Sequence, residues 1–358
     1  MGIRILAFTV VFCCTATLNA QNKDPYKKVD NDVRLEALRH AQVWTDSPIA
    51  SKDIKAGPPD APGFRPEAVV TCEYVEKKQT GTPKFDCAIN GKDEIRVKYG
   101  DKNGEIYSEV AATRLLWALG FGADRVYPVK VVCKGCPADP MMNPRKTTET
   151  REFAAAVVER KLPGDEIELH RNSGWAWVEL TFVDQTSGGA PLAHRDALKL
   201  LAAMIQHTDS KPQQQRIVCL DKVHGQQPQQ DGRCTRPFMM INDLGKTFGH
   251  ATFTNVDGKS AANFEEWSKV SVWKGDKGCV ARLSKSFSGS LEDPVIGEDG
   301  RKFLAGLLAQ LTDRQMHDLF DVARFTKRDP RASVDDWVRV FKEKRDAIAG
   351  RSCANPVL

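Results

Sequence analysis

The chain has 358 residues, of which 41% are hydrophobic and 28% are charged, so it can bury a sizeable core. Its formal net charge of +5 is small for this length, and the basic residues are spread along the sequence. Proteins that bind nucleic acid concentrate positive charge on one surface, so we expect no nucleic-acid partner. The length indicates one large domain or two ordinary ones.

Residues 1–20 have the features of a secretory signal peptide. Arg4 precedes an apolar run over residues 5–14, and small and polar residues follow up to Ala20. The alternative is a membrane anchor, but the apolar run is too short to cross a bilayer. We therefore expect cleavage after Ala20, export to a periplasm, a secretory lumen or the extracellular space, and no membrane span in the mature chain.

Residues 21–65 form a polar, proline-bearing N-terminal extension in which only residues 32–44 have helical character. We expect this extension to pack on the domain or to stay partly mobile. Five short strands and one helix follow it. The strands are predicted at residues 69–75, 85–89, 94–99, 126–132 and 153–160. The helix is predicted at residues 104–120, between the third and fourth strands.

The second half of the chain is predicted to be mainly helical. Its clearest helix covers residues 192–206, where apolar residues recur at i, i+3, i+4 and i+7. Two apolar strands follow, at residues 216–220 and 237–241. Three more helices are predicted near the C-terminus, at residues 301–311, 315–325 and 334–349.

Cysteine content supports export by an independent route. Of ten cysteines, Cys13 and Cys14 lie in the predicted leader, and an even number remains, as expected for disulfides. The C-x-x-C motif at Cys133 is also compatible with half of a zinc site or a redox pair, but no second such motif or closely spaced histidines accompany it. Two predicted hairpins each bring two cysteines together. We expect the bridges Cys72–Cys87, Cys133–Cys136, Cys219–Cys234 and Cys279–Cys353.

Two polar segments carry the most specific pattern in the chain. Residues 207–214 have the sequence H-T-D-S-K-P-Q-Q, and the strand at residues 237–241 leads into Asp243-Leu244-Gly245. The first segment resembles H-R-D-x-K-P-x-N and the second resembles D-F-G, both of the protein-kinase superfamily. Upstream, Val97-Lys98 resembles the end of the V-A-I-K strand, and Glu109 lies in the helix that follows.

The chain departs from ordinary signalling kinases in two places. Its first hairpin lacks G-x-G-x-x-G and has Gly81 within E-K-K-Q-T-G-T-P-K instead. No A-P-E element follows Asp243 at the usual distance. The resemblance is therefore nearest to atypical and secreted kinases.

The resemblance implies an α+β, two-lobed, protein-kinase-like fold that is stabilised by disulfides. Residues 66–161 would form the small lobe, an antiparallel sheet with one helix. Residues 162–353 would form a mainly helical large lobe, and residues 354–358 a tail. The implied ligands are ATP and Mg²⁺ or Mn²⁺, with an unknown hydroxyl-bearing protein or small molecule as the acceptor.

The resemblance also assigns catalytic roles. Asp209 would orient or deprotonate the acceptor hydroxyl, and Lys211 would neutralise charge on the transferred phosphoryl group. His207 would support this loop through hydrogen bonds. Asp243 and Gln214 would bind the metal, although Gln214 stands where kinases have asparagine and its amide lies one methylene further out.

Nucleotide binding would fall to the small lobe and the segment that follows it. Lys98 would hold the phosphates while Glu109 fixes its ammonium, and Glu105 is the second choice of partner. Gly81 would contact the phosphates through its backbone. Backbone groups near Glu159 and Lys161 would meet the adenine edge.

Two other functions remain open from the sequence. One is a catalytically inactive pseudokinase or secreted binding module with the same fold, and Gln214 favours it. The other is a hydrolase that uses Asp209, Asp243 and His207. The sequence contains no nucleophile elbow and no H-E-x-x-H helix to support a hydrolase.

Overall fold

The computed structural model describes residues 26–59, 63–226, 233–249, 260–283 and 289–353, so the predicted signal peptide and C-terminal tail lie outside the described residues. The strands in chain order are β1 (Tyr26–Lys28), β2 (Ala68–Val75), β3 (Lys84–Ile89), β4 (Asp93–Tyr99), β5 (Arg125–Lys134), β6 (Thr150–Arg160), β7 (Asp165–Glu168), β8 (Gln215–Cys219) and β9 (Pro237–Ile241). The helices are α1 (Asn31–His40), α2 (Glu105–Leu119), α3 (Leu192–Met204), α4 (Phe264–Lys269), α5 (Glu298–Leu308), α6 (Asp313–Val322), α7 (Phe325–Arg328) and α8 (Val334–Ala349). The α+β class is confirmed.

Five strands close into a barrel with the order β2-β3-β4-β6-β5. Inward-facing residues alternate along β2, where Val70, Cys72 and Tyr74 are buried. The prediction of a purely antiparallel sheet was wrong, because β2 pairs in parallel with β5, with Cys72 opposite Cys133. This pairing removes two exposed strand edges, which would otherwise carry unpaired backbone groups.

Helix α2 is buried on almost every side and contacts both β5 and α6. Trp117 is its one residue that is not buried. The buried residues of the helix include polar ones, among them Glu105, Glu109 and Arg114, so packing of neighbouring elements rather than an apolar sequence buries every face. The helix therefore lies between the barrel and the C-terminal helices.

A second sheet has the order β1-β7-β8-β9 and was predicted only in part. The short strands β1 and β7 pair in parallel and were not predicted. Through β1 and α1, the N-terminal extension packs on this sheet. The C-terminal helices surround an aromatic cluster whose rings include Phe248, Trp267, Phe320, Phe325 and Trp337.

The four predicted disulfides are all present, and each joins Cα atoms 5.4 to 5.7 Å apart. Such bridges are typical of chains that fold in an oxidising environment. Among the helices that the structure describes, none has the length and apolar character needed to cross a membrane.

The disulfides should differ in their contribution to stability, because the bridges close loops of different length. The Cys279–Cys353 bridge spans 74 residues and the Cys133–Cys136 bridge spans 3. Loop-closure entropy predicts a loss of about 4 kcal/mol on removing the first and about 1.5 kcal/mol on removing the second. Urea unfolding of the two double cysteine-to-alanine variants measures this difference. Equal losses would contradict the entropic account.

Candidate functional site

Lys98 and Glu109 form a buried ion pair between the barrel and α2. The ammonium of Lys98 lies 2.9 Å from Oε1 and 2.8 Å from Oε2 of Glu109. Their side chains are 3% and 0% exposed. Lys98 stands near the end of β4, and the short connection from β4 to α2 places Glu109 one turn inside the helix. The structure thus brings together the two residues that the sequence paired.

Three further carboxylates surround the same ammonium. Oxygens of Glu105 and Glu159 lie 3.5 Å from the Lys98 nitrogen, and Asp243 Oδ1 lies 3.9 Å away. Burial alone would lower the pKa of Lys98, but the charges of Asp243, Glu109, Glu105 and Glu159 outweigh it and raise that pKa well above its ordinary value. Lys98 therefore stays charged.

The pKa values of Glu109 and Asp243 are shifted in opposite directions. Burial raises the pKa of Glu109 well above its ordinary value, against the charge of Lys98. Burial also acts to raise the pKa of Asp243, but Lys98, the backbone N–H of Gly245 and Lys84 bring it down to about 2. Asp243 is therefore an ionised carboxylate, available to a cation.

The turn after β9 packs directly on α2. Ser108 donates a hydrogen bond of 2.6 Å to the carbonyl of Gly245. A Cβ at Gly245 would lie 2.7 Å from Cγ of Glu105, so only glycine allows this approach. The turn thus fixes Asp243 beside the Lys98–Glu109 pair.

The loop between β2 and β3 lies next to the acidic cluster, by which we mean Glu105, Glu109, Glu159 and Asp243 around Lys98. Thr82 is buried and donates a 2.7 Å hydrogen bond to Oε2 of Glu105. Gly81 has a φ of 88°, and a Cβ there would lie 3.8 Å from the Lys84 ammonium. The loop without the usual glycine pattern therefore still lies next to the site, with Gly81 beside Lys84.

Asp209 lies in the loop after α3 and is held by three side chains. Gln214 donates its amide N–H to Asp209 Oδ2 at 2.9 Å. The ammonium groups of Lys211 and Lys246 lie 3.3 and 3.6 Å from the same oxygen. The arrangement places two cations beside one carboxylate.

Backbone hydrogen bonds join the Asp209 loop to the Asp243 turn. The carbonyl of Gln214 accepts from the N–H of Asn242 at 2.9 Å and from that of Asp243 at 3.3 Å. The N–H of Thr208 donates to the carbonyl of Lys246 at 3.2 Å. These backbone hydrogen bonds hold the two acidic segments next to each other.

His207 is completely buried, and its ring centroid is 6.2 Å from that of Trp177. Within the described part of the chain, neither ring nitrogen has a hydrogen-bond partner. The prediction that His207 supports the loop through hydrogen bonds was therefore wrong. Burial lowers the pKa of His207 to about 4, so the ring is neutral at pH 7 and fills space beside Asp209.

Glu159 and Lys161, near which backbone groups were predicted to meet adenine, have different side-chain partners. Glu159 lies within β6, paired with both β4 and β5, and its side chain belongs to the Lys98 cluster. Lys161 follows the strand and pairs with Glu166 at 2.7 Å. The next N–H, of Leu162, donates to Asp124. Burial, together with the charge of Glu159, raises the pKa of Asp124 to about 7.

Sequence reasoning missed Lys246 and undervalued Glu105 and Glu159. Lys246 directly follows the Asp243-Leu244-Gly245 turn, so its position next to that motif was the available signal. Glu105 and Glu159 enter the cluster through the packing of α2 and the register of β6. A single sequence contains no signal for either contact.

Comparison with known proteins identifies no family for this chain. No family model matches the sequence, and no curated protein matches it. The solved structures that match include the proinflammatory kinase CtkA of Helicobacter pylori, with a TM-score of 0.42 and 10% identity. That match covers 80% of this chain and 100% of the other. A similarity this distant assigns neither an activity nor residue roles to this chain.

The buried His207 should make the protein sensitive to mild acid. Its pKa is about 4 in the folded chain against an ordinary value of 6.5. Between these values the unfolded chain binds a proton that the folded chain does not, so this contribution to stability is complete above pH 6.5 and is lost as the pH falls towards 4. The loss reaches about 3 kcal/mol.

The free energy of unfolding, measured from pH 7 to pH 4, should therefore fall more steeply in the parent protein than in His207→Phe. NMR titration of the histidine ring protons checks the cause directly. A resonance missing from His207→Phe that titrates near pH 6.5 in the parent would contradict this account.

Proposed function

We propose that this protein is an exported, kinase-like phosphotransferase that moves a phosphoryl group from ATP to a hydroxyl acceptor. The observation that carries the proposal is the buried contact of Lys98 with both oxygens of Glu109, with Asp243 within 3.9 Å of the same ammonium. Phosphoryl transfer depends on a cation held rigidly against phosphate oxygens and on a carboxylate that binds metal. In this proposal Lys98 supplies the cation and Asp243 supplies the carboxylate.

The acidic cluster suits a metal–nucleotide complex. The carboxyl groups of Glu105, Glu109, Glu159 and Asp243 all lie within 3.9 Å of the Lys98 ammonium. Asp243 is the carboxylate that would bind Mg²⁺ or Mn²⁺, since it is ionised and its side chain is 30% exposed. When bound, such an ion neutralises charge on the phosphate oxygens. Lys98 would supply the cation that orients the phosphates.

Asp209 would receive the acceptor hydroxyl. Its carboxylate is fixed by Gln214, and its loop is joined by hydrogen bonds to the Asp243 turn. Lys211 and Lys246 place two ammonium groups beside it, where the transferred phosphoryl group would need neutralisation. We assign Lys246 to this role together with Lys211.

A second candidate is a nucleotide-binding pseudokinase with the same site. The observation that favours it concerns Gln214, which stands where kinases have asparagine and whose amide group is oriented by its N–H bond to Asp209 rather than by a metal ligand set. A metal held by Asp243 without a well-placed second ligand would bind nucleotide but transfer phosphate slowly.

Thermal shift with ATP and Mg²⁺ or Mn²⁺ tests both candidates on the mature protein. We expect a metal-dependent rise in Tm with the parent protein and its loss in Asp243→Ala, because the carboxylate ligand is removed. Asp299→Ala, in the first turn of α5, is a matched control that should keep the shift. No shift with ATP and either metal would refute the nucleotide site.

Asp209→Ala separates the kinase from the pseudokinase. We expect this variant to keep the nucleotide shift and to lose at least about 100-fold in phosphoryl transfer or ATP turnover, as for removal of a catalytic acid–base group. Turnover is measured by release of ADP. Turnover that is equal in the parent and in Asp209→Ala would overturn the role of Asp209, and its absence in the parent despite nucleotide binding would favour the pseudokinase.

A further inference from the structure

We propose that residues 41–58, which we name the strap, are an internal brace that holds α2 in the position required by the Lys98–Glu109 pair. Trp44, Ser47 and Lys52 are the positioning residues in this proposal. It rests on the proposed function, because it concerns control of the same nucleotide site. It predicts that the ion pair is formed without an activating partner.

The strap caps the C-terminal end of α2. The last carbonyl groups of a helix have no partner within the helix and must find one elsewhere. Here four successive carbonyls, those of residues 117–120, accept hydrogen bonds from the strap. The donors are Lys52 Nζ to Trp117 at 2.8 Å, Ser47 Oγ to Ala118 at 2.7 Å, Trp44 Nε1 to Leu119 at 2.7 Å and Thr45 N to Gly120 at 2.9 Å.

The fit at this helix end is close and electrostatically favourable. Gly120 has a φ of 90°, and a Cβ there would lie 2.1 Å from the Thr45 carbonyl oxygen, so a side chain would push the strap away. The ammonium of Lys52 also lies 4.2 Å from the Trp117 ring. A cation at a helix C-terminus interacts favourably with the helix dipole.

The strap also holds α2 further along its length. The buried guanidinium of Arg114, on α2, donates to the carbonyl of Ile54 at 3.0 Å and to that of Val126 on β5. A Cβ at Gly57 would lie 2.9 Å from the same guanidinium. The strap and the barrel therefore share one buried cation of α2.

The strap is also anchored on α6 and β9. Gln315, on α6, donates to the carbonyls of Ile49 and Lys52 at 2.7 and 2.9 Å. Gln42 exchanges backbone hydrogen bonds with β9, the strand that leads into Asp243. Moving α2 outward would break contacts at both ends of the strap, so the helix and the metal-binding turn are held relative to each other.

The strap offers a matched pair of lysines for the test. Lys52 caps α2, whereas Lys55 makes an exposed ion pair with Asp321 on α6, and such pairs contribute little. The first measurement is hydrogen exchange of the α2 amides in Lys52→Met and Lys55→Met. We expect exchange about three- to tenfold faster in Lys52→Met, as for loss of one hydrogen bond, and unchanged exchange in Lys55→Met.

The second measurement is the Kd of ATP with Mg²⁺, compared with Tm. We expect Lys52→Met and Trp44→Phe to weaken ATP binding about three- to tenfold, and Lys52→Arg to restore it, because arginine keeps a donor and a charge at the helix end. A merely structural role would lower Tm and leave the Kd of the folded protein unchanged. That result would overturn the proposal.

The two proposals fail in different ways. If the parent protein binds no nucleotide, the proposed function fails while exchange of the α2 amides still tests the brace. If the parent protein binds nucleotide and Lys52→Met and Trp44→Phe change neither α2 exchange nor Kd, only the brace fails. Should Lys52→Met not fold, Trp44→Phe keeps the aromatic ring, removes one hydrogen bond and gives the same readouts.

Discussion

The buried ammonium of Lys98 is the constraint on which the rest of the site depends. Placing a charge in the protein interior costs several kcal/mol unless opposite charges and hydrogen bonds compensate it. The compensating carboxylates come from α2, β6 and the turn after β9, which are distant in sequence. Each of these elements must therefore be in place before Lys98 is stable. One side chain thus couples the barrel, helix α2 and the turn that carries Asp243.

The carboxylates around Lys98 distinguish this cluster from an ordinary buried salt bridge. One buried ion pair is balanced, and a well-packed apolar pair of similar volume is often at least as stable. Here three carboxylates accompany the pair, and the pKa of Glu109 is raised against the charge of Lys98. The raised pKa of Glu109 shows that burial and the neighbouring carboxylates outweigh the charge of Lys98 at this residue.

Sequence patterns predicted what depends on local physics. The start of α8 was predictable because Ser333 is a local N-cap signal. Helix α3 was predictable because its apolar residues recur at i, i+3 and i+4 within a short segment. Hairpin spacing predicted the Cys72–Cys87 and Cys219–Cys234 bridges, and the C-x-x-C motif predicted Cys133–Cys136. Cys279 and Cys353 were the two cysteines left to pair. The parallel closure of β2 on β5 and the entry of Glu105 and Glu159 into the cluster depend on packing between distant segments. The burial of the His207 ring, which has no hydrogen-bond partner among the described residues, had no local signal either.

The burial of α2 limits how this site could be controlled. A helix that moves between two positions needs one face whose contacts can be broken at a small cost in free energy. Almost every residue of α2 is buried, its C-terminal carbonyls are capped by the strap, and Ser108 is bonded to the Asp243 turn. Rotating it outward would expose apolar surface and break hydrogen bonds together. The contacts of α2 with the strap and with the turn after β9 therefore hold Lys98, Glu109 and Asp243 together in one arrangement.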